Sequence, residues 1–254
     1  MKLAYVSILA LCAMLLNLHA SFNVTYLNTT VVLNTSTSAH VVEKLGVYVS
    51  NTSVSQYVQD RQAFNLTLND WQKVLGTTLL TEHIIGPNSS ISRFTLLPGP
   101  IILGQGGGGT AVITFSYDVH NVTTIRNIAP RKFDYTFNDN LFNFEHTAGG
   151  QALYPNTRLI MVIPKSAEIV SIYPAPDYPL SNYVGNYSNA TVFSWYAGEP
   201  LSKFQFSYIV TQSLQSEVVS YFSDIYNAYS WMLYLAMIVL VAAIAAYAYF
   251  NLRR

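Results

Sequence analysis

Alternating apolar and polar residues predict a series of short β-strands in the second half of the chain. The segment "VITFSYDV" (112–119) places Ile113, Phe115, Tyr117 and Val119 on one face and polar residues on the other. The same alternation occurs in "RKFDYTF" (131–137), "EIVSI" (168–172), "ATVFSWY" (190–196) and "KFQFSYIV" (203–210). The segment "LIMVI" (159–163) is apolar on both faces, as in a central strand. Short strands separated by turns predict a mainly β fold, a β-sandwich.

The first half predicts two further strands within 24–50 and a small helical insert. The segment "SVSQYVQDRQAF" (53–64) lacks the alternation of a strand, and "LNDWQKVLG" (68–76) offers Asn69 as a helix cap and Gly76 as a stop. Asn65, between the two pieces, is a possible sugar acceptor and would then be exposed. We therefore expect both helices on the surface.

A glycine-rich stretch, "LLPGPIILGQGGGG" (96–109), divides the two halves. A phosphate-binding loop would need a helix carrying Lys and Ser or Thr after the glycines, whereas the alternation of a strand follows here. The stretch is interpreted as a flexible loop between strands. The predicted order is a β-rich segment with the helical insert (21–97), the loop (98–109) and the sandwich (110–213).

An amphipathic helical stem is predicted for 214–230, "LQSEVVSYFSDIYNAYS". Large apolar residues recur every three or four positions and form one stripe: Leu214, Val218, Tyr221, Phe222, Ile225 and Tyr229. Three surfaces could cover this stripe: the sandwich itself, another membrane protein or the lipid surface. These residues are candidate partner contacts.

Both ends of the chain predict export and anchoring in a membrane. The segment 231–250 has no charged residue over a length that spans about 30 Å as a helix, and Arg253 and Arg254 follow it. Short basic tails remain in the cytoplasm. Residues 1–20 have the pattern of a secretory signal with cleavage after Ala20, and an uncleaved anchor remains an alternative. The prediction is a single-pass type I protein of the cell membrane with an extracellular domain.

Nine Asn-x-Ser/Thr triplets make the exported part a predicted glycoprotein with N-linked glycans. They begin at Asn23, Asn28, Asn34, Asn51, Asn65, Asn88, Asn121, Asn186 and Asn189. A glycan must lie on the surface. In an extended strand Asn28 and Asn34 share one face, and Leu27, Val31 and Leu33 share the other. The segment that begins at Asn23 therefore predicts a strand with an apolar inner face and a glycosylated outer face.

Composition narrows the classes of function. Charged residues make up 10% of the chain, and the formal net charge is zero, which argues against binding to nucleic acid. Cysteine is absent after Cys12, so the exported part has no disulfide. Dense acceptors without disulfides are typical of archaeal surface proteins, in the style of thermoacidophilic archaea.

The sequence offers no strong catalytic or metal-binding pattern. The spacing of His40, His83, His120 and His146 does not match a zinc site, and no Gly-x-Ser-x-Gly turn occurs. Acids near one another in the segment 131–146 could in principle serve a glycosidase. The prediction is a non-enzymatic protein without a cofactor, with a surface hydrolase as a minor alternative.

The segment "RKFDYTFNDNLFNFEH" (131–146) is rich in aromatic residues beside short polar ones. Such a surface can stack on sugars or hold a partner chain. Phe142 and Phe144 are therefore candidate partner contacts, and the alternative is that this segment forms the edge of the sandwich core.

The segment "LIMVIPKSAEIVSIYPAPDYP" (159–179), followed by "VFSWYAGEPLSKFQFSYIV" (192–210) and a single span, resembles the lumenal end of ribophorin I-like subunits of oligosaccharyltransferase. The resemblance covers about 100 residues of layout, with "IPKSAEI" as its motif. It implies an accessory subunit of a glycosylating membrane enzyme. The main hypothesis is a structural or binding subunit of an envelope or membrane complex, whose partners are other membrane or envelope proteins.

Overall fold

The computed structural model describes residues 22–63, 65–86, 88–179, 187 and 189–252. The predicted signal peptide, the acceptor Asn186 and the Arg253–Arg254 tail lie outside the described residues. The described chain is mainly β and contains several sheets, as the alternation predicted.

The strands are β1 (Phe22–Leu33), β2 (Ala39–Val49), β3 (Ile91–Pro98), β4 (Ile102–Leu103), β5 (Gly109–Val119), β6 (Thr123–Ala129), β7 (Lys132–Phe137), β8 (Glu145–Thr147), β9 (Gly150–Ala152), β10 (Thr157–Val162), β11 (Ala167–Tyr173), β12 (Val192–Tyr196) and β13 (Gln205–Thr211). The α-helices are α1 (Val54–Gln62), α2 (Leu68–Leu75) and α3 (Leu214–Leu252). Two single-turn 3-10 helices lie at Asn51–Ser53 and Asp139–Leu141. The short strands β3, β4, β8 and β9 and the strand β6 were not predicted from the sequence.

The chain divides into two compact units. The first comprises Met1–Arg126 and Asp134–Val210, and the second comprises Asn127–Phe133 and Thr211–Arg254. The first unit contains the large sheet and both helices of the insert. The second unit contains α3, and within it the Gln212 backbone N–H donates to the Arg131 carbonyl at 2.8 Å.

A seven-stranded sheet forms the larger layer of the first unit. Its order is β12-β10-β1-β2-β5-β3, and β4 also pairs with β5. β1 and β10 are parallel, and the other pairs described in this sheet are antiparallel. In β1 the side chains of Leu27, Val31 and Leu33 are buried, as the alternation predicted, because they face the core. Strands from both halves of the chain therefore form one sheet.

Only residues 104–108 of the glycine-rich stretch form a turn, between β4 and β5, and the predicted loop 98–109 contains the short strand β4. Gly104 N–H donates to the Gly108 carbonyl at 2.7 Å, which closes the turn. Gly106 and Gly107 adopt φ of 93° and 86°, values that residues with a side chain rarely adopt. The turn connects neighbouring strands of one sheet, and its glycines hold a defined backbone conformation.

Replacement of Gly107 by alanine is expected to destabilise the protein more than replacement of Gly106. A Cβ at Gly107 would lie 2.7 Å from Oδ1 of Asn51, whereas a Cβ at Gly106 would meet nothing within 4 Å. Both variants would bear backbone strain of about 1 kcal/mol, and at Gly107 alone the exposed Asn51 side chain would also have to move, which should add at most about 0.5 kcal/mol. Denaturant unfolding of both variants measures the difference. Equal losses would show that the contact with Asn51 has no energetic weight.

A four-stranded sheet has the order β11-β13-β7-β6, and the part of it that belongs to the first unit packs against the larger sheet. Phe206 of β13 contacts Phe193 of β12 with ring centroids 5.5 Å apart, and Trp195 lies 5.0 Å from Phe204. Tyr208 donates its hydroxyl to the Asn34 carbonyl at 3.0 Å. Aromatic side chains from both layers therefore fill the space between the two sheets.

The helices of the insert were expected on the surface and not in the core, but each buries one face in the core while its other face stays exposed. Tyr57, Trp71 and Leu75 are buried, and the rings of Tyr57 and Trp71 lie 5.5 Å apart. The predicted cap of the second helix was wrong: Thr67 accepts from the Asp70 N–H and closes a capping box, whereas Asn69 lies inside the helix. Gly76, at φ 64°, ends the helix as predicted.

One helix, α3, covers both the predicted stem and the apolar segment that follows it. Among the helical residues that the structure describes in full, no stretch has the length and apolarity required to cross a membrane.

Candidate functional site

The predicted sugar acceptors lie on the surface of the described chain. Seven of the eight described acceptors are exposed and Asn28 is half-buried. The exposed ones are Asn23, Asn34, Asn51, Asn65, Asn88, Asn121 and Asn189. Asn186 lies outside the described residues. A buried acceptor could not hold a glycan in the folded protein, so the observed exposure meets one physical requirement for modification.

Local geometry presents several of these asparagines at turns. Oδ1 of Asn34 accepts from the Ser36 backbone N–H at 2.7 Å and lies 2.6 Å from the Ser36 hydroxyl. Asn121 adopts φ of 61°, and its Nδ2 donates to the Asn88 carbonyl at 3.2 Å. Asn88 and Asn121 are therefore neighbours in space, 33 residues apart in sequence.

Asn28 occupies a different setting, on the outward face of the larger sheet. It lies in register between Lys44 of β2 and Arg158 of β10. Its side chain points away from the core because Leu27 and Thr29, on either side of it, are buried. A glycan at this position would cover the middle of the outward face, as the sequence analysis expected.

Four of the six residues predicted as partner contacts on the stem have described side chains, and all four are exposed. Leu214, Val218, Phe222 and Tyr229 are exposed by 64%, 44%, 64% and 53%, so they lie on the surface of α3. The side chains of Tyr221 and Ile225 lie outside the described residues.

The prediction that Phe142 and Phe144 contact a partner is wrong. They are only 2% and 1% exposed and belong to the core. Phe142 pairs with Ile84 as an isolated β-bridge, and its ring lies 4.9 Å from that of Phe204. The segment around Phe142 lines the core because it pairs with the chain that leaves the helical insert: Ile85 N–H donates to the Leu141 carbonyl at 2.7 Å.

A buried polar cluster, Glu43–His83–Tyr117–Thr29, lies on the inward face of the larger sheet. All four residues have no exposed surface. Oε2 of Glu43 lies 2.6 Å from Nδ1 of His83 and accepts from the Thr29 hydroxyl at 3.1 Å. Oε1 accepts from the His83 backbone N–H at 2.9 Å and from the Tyr117 hydroxyl at 2.6 Å. Each oxygen of the Glu43 carboxyl group therefore has two hydrogen-bond partners, and these four contacts offset the cost of burying the group.

The cluster has the geometry of an acid–imidazole pair but no access for a substrate. The His83 ring stacks on Phe144 with centroids 4.9 Å apart, and Nε2 has no hydrogen-bond partner among the described residues. Burial, and secondarily the Glu43 carboxylate, raise the pKa of Tyr117 well above its usual value. The cluster ties residues 83–84 to β1, β2 and β5, and its role is structural.

Sequence reasoning missed Glu43. Its partner His83 lies 40 residues later in the chain, beyond the range of any local pattern. A signal was present, because Glu43 interrupts the inward positions Val41 and Leu45 of β2. An acid at an inward position requires a buried donor, although alternation alone cannot identify that donor.

A second polar group lies on the outward face at the end of the same sheet. Asp118 of β5 accepts from His40 at 2.7 Å and pairs with Arg93, which adopts φ of 51° at an irregularity in β3. Burial of the Asp118 carboxyl opposes its ionisation, but the hydrogen bonds from His40 and Arg93 outweigh this effect and lower the pKa of Asp118.

The stability contributed by Asp118 is expected to depend on pH. A carboxyl whose pKa is lower in the folded than in the unfolded state stabilises the fold above the unfolded value, about 4, and this stabilisation disappears as pH falls through the folded value. Asp118→Asn should therefore be less stable than the natural protein at pH 7, and the difference should shrink steadily below about pH 4. Thermal unfolding from pH 2 to 7 measures it. A difference that is constant with pH would contradict this linkage.

The remaining acids do not form a catalytic pair. Asp134 accepts from Arg126 at 2.8 Å, and Asp139 begins a 3-10 turn. Glu145 lines an open cleft of about 590 Å³, and no second carboxylate is among the described residues that line it. No group of three or more His, Cys, Asp or Glu among the described residues is placed to hold a metal ion.

No protein-family model matches the chain, and no curated protein matches its sequence.

Proposed function

We propose that the chain is a non-catalytic, single-span type I glycoprotein of the cell membrane. Its extracellular part, two facing sheets that we interpret as a β-sandwich, would act as a structural or binding subunit of an envelope or membrane complex. The charge-poor composition and dense acceptors favour an archaeal cell surface.

The observation that carries the proposal is the placement of the acceptors. The described acceptors are exposed, apart from the half-buried Asn28, and lie at turns, on the helical insert and on the outward face of β1. Asparagine is mostly exposed in folded proteins, so exposure alone does not distinguish a glycosylated asparagine. The proposal is supported by the occurrence of nine triplets together with the observation that none of the described acceptors is buried.

The proposed anchor rests on the sequence of 231–250 and on the basic residues that follow it. The stem would precede this anchor outside the membrane. Its acidic and hydroxyl residues share one side of the helix and its large apolar residues share the other. A polar tether would suffice if the stem only provided distance. We therefore propose that the apolar side contacts a protein partner in the membrane.

Two measurements on intact cells test location and modification. External protease should remove the extracellular part and leave a membrane-bound fragment that contains residues 231–254. Mass spectrometry of glycopeptides should find sugar on most of the nine acceptors, with Asn186 and Asn189 in competition because they are three residues apart. Protection of the extracellular part would refute the outward orientation. Occupancy of two acceptors or fewer would refute the argument from the triplets.

Variants of α3 test the partner contact. Simultaneous replacement of Val218, Phe222 and Tyr229 by serine should release proteins that otherwise copurify with the solubilised chain, while the melting temperature remains unchanged. Alanine at Ser223 and Asn227, on the polar side of the helix, is the matched control. A lower melting temperature with copurification intact would instead show that the chain's own β-structure covers the stripe.

An accessory subunit of an oligosaccharyltransferase-type enzyme is the second candidate. The "IPKSAEI" motif, on which the resemblance depends, forms a tight turn in which Ala167 N–H donates to the Pro164 carbonyl at 3.0 Å. The turn leads from β10 of the larger sheet to β11 of the smaller one. Copurification with a multi-span glycosyltransferase would favour this candidate, and copurification with a coat protein would favour the first.

A further inference from the structure

The Asn-x-Ser/Thr triplets of the described chain differ in how strongly the fold buries their third residue. A transferase that modifies only those asparagines with Ser or Thr two positions later must contact that hydroxyl as well as the asparagine. Access to the third residue is therefore a second requirement for modification of a folded chain. The exposure of the asparagine alone does not reveal whether this requirement is met.

The triplet that begins at Asn121 meets the first requirement and fails the second. Asn121 is exposed, whereas Val122 has no exposed surface and Thr123 is only 5% exposed. The Thr123 hydroxyl donates to the Ser36 carbonyl at 3.1 Å. The Val122 backbone N–H donates to the Thr37 carbonyl at 2.7 Å. Both residues that follow the acceptor are thus bound to the turn between β1 and β2.

The triplet that begins at Asn51 shows the same division. Asn51 is exposed, but Ser53, its third residue, has no exposed surface. The Ser53 hydroxyl lies 2.9 Å from the Ser50 hydroxyl, and the Ser53 backbone N–H donates to the Ser50 carbonyl at 2.9 Å. These contacts belong to the 3-10 helix at Asn51–Ser53. Exposure of the Ser53 hydroxyl therefore requires this turn to unwind.

Two other triplets present both required residues on the folded surface. In the triplet that begins at Asn34 all three residues are exposed, and in the triplet that begins at Asn88 the first and the third are exposed. Asn88 is a useful reference for Asn121, because Nδ2 of Asn121 donates to the Asn88 carbonyl at 3.2 Å. Two acceptors at one place on the surface therefore differ in the burial of their third residue.

We propose that Asn51 and Asn121 receive sugar before this part of the chain folds, whereas Asn34 and Asn88 remain substrates after folding. The inference rests on the proposed glycosylation of the chain. In each transfer the asparagine Nδ2 attacks the anomeric carbon of a sugar that is activated as a lipid-linked phosphate. A C–N bond forms, the C–O bond to the phosphate breaks, the lipid phosphate leaves, and Nδ2 releases one proton. This chemistry is the same at all four acceptors, so access to the third residue sets the order.

The test compares the folded chain with peptides of the same sequence. Full chain produced without sugar is solubilised in its folded state and incubated with membranes of the cells that make the natural protein, which supply the transferase and its lipid-linked donor. Mass spectrometry follows the occupancy of each acceptor with time. Asn34 and Asn88 should be modified at least about tenfold faster than Asn51 and Asn121, because the latter react only in molecules whose fold has opened locally. Synthetic peptides that span the four triplets should all be modified.

An Asn88→Gln variant separates burial from competition between neighbouring acceptors. If burial protects the triplet, Asn121 stays unmodified in this variant, whose melting temperature shows that it is folded. Sugar on Asn121 in the variant alone would overturn the proposal, because the glycan on Asn88 would then be the obstacle. Equal rates of modification at Asn88 and Asn121 in the folded natural chain would overturn it as well.

Occupancy in the protein taken from its own cells distinguishes this proposal from the proposed function. Sugar on all four acceptors, together with the difference in rate on the folded chain, supports the order of modification. Unmodified Asn51 and Asn121 beside sugar on most other acceptors would overturn the order and leave the proposed function intact. Occupancy of two or fewer of the nine acceptors would instead refute the argument from the triplets.

Discussion

Replacement of Glu43 by alanine is expected to lower the free energy of unfolding by about 3–5 kcal/mol, because it leaves several buried donors without an acceptor and each such donor costs about 1–3 kcal/mol. The carboxylate accepts from Thr29, Tyr117 and both the backbone and the ring of His83. Alanine would leave these donors buried without an acceptor. Since a domain is stable by about 5–15 kcal/mol in total, this loss should lower the midpoint of denaturant unfolding by a large, measurable amount.

Two control variants make this prediction specific. Lys44→Ala, at the next residue and exposed on the outward face, should change stability by less than about 0.5 kcal/mol. The double variant Glu43→Leu with His83→Phe should lose less than Glu43→Ala alone, because an apolar pair leaves fewer unsatisfied groups. A loss below about 1 kcal/mol for Glu43→Ala would show that the cluster does not hold the segment after the helical insert.

Replacement of Phe206 by alanine is expected to cost about 3–5 kcal/mol, the range for a large aromatic side chain removed from a core. Phe206 has no exposed surface and lies between the two sheets of the first unit. Its ring centroid is 5.5 Å from that of Phe193 and 6.1 Å from that of Trp195, both on the larger sheet. Alanine would leave a cavity among these rings.

Tyr173→Ala is the matched control for Phe206, since Tyr173 is an aromatic residue on the neighbouring strand of the same sheet but is 52% exposed. Its loss should remain below about 1 kcal/mol. Thermal and denaturant unfolding of both variants provide the comparison. Similar losses for the two variants would indicate that contact between the sheets contributes little to stability.

These two predictions concern the buried interior, which is distinct from the surface that presents the acceptors. Glu43 and Phe206 lie in the interior of the first unit, whereas the described acceptors lie outside it. Variants at the acceptors should therefore change glycosylation while stability stays nearly constant.

Local pattern was sufficient to predict the long strands and their faces. Alternation in 112–119 identified the inward side of β5. Gly76 identified the end of a helix, because it is the C-terminal cap. The triplets predicted which asparagines would be exposed, since hydration favours Asn at turns and on outward positions of strands. The mainly β class follows from these features, because the period of two residues is a property of each strand alone.

Contacts between distant segments required the tertiary structure. β10 joins β1 as a parallel neighbour, so that Asn28 pairs with Arg158, and no local pattern specifies that partner. Phe142 is buried because Ile84 pairs with it, although the aromatic composition of its segment predicted a surface that contacts a partner. Glu43 meets His83, and Glu145 joins Gly198 at one cleft, only after the sheets and loops have assembled. The sequence by itself determined the conformation of each strand, because strand conformation depends on neighbouring residues. Only the tertiary structure decided which strands pair and which polar groups meet, because pairing depends on the combined burial of segments far apart in the chain.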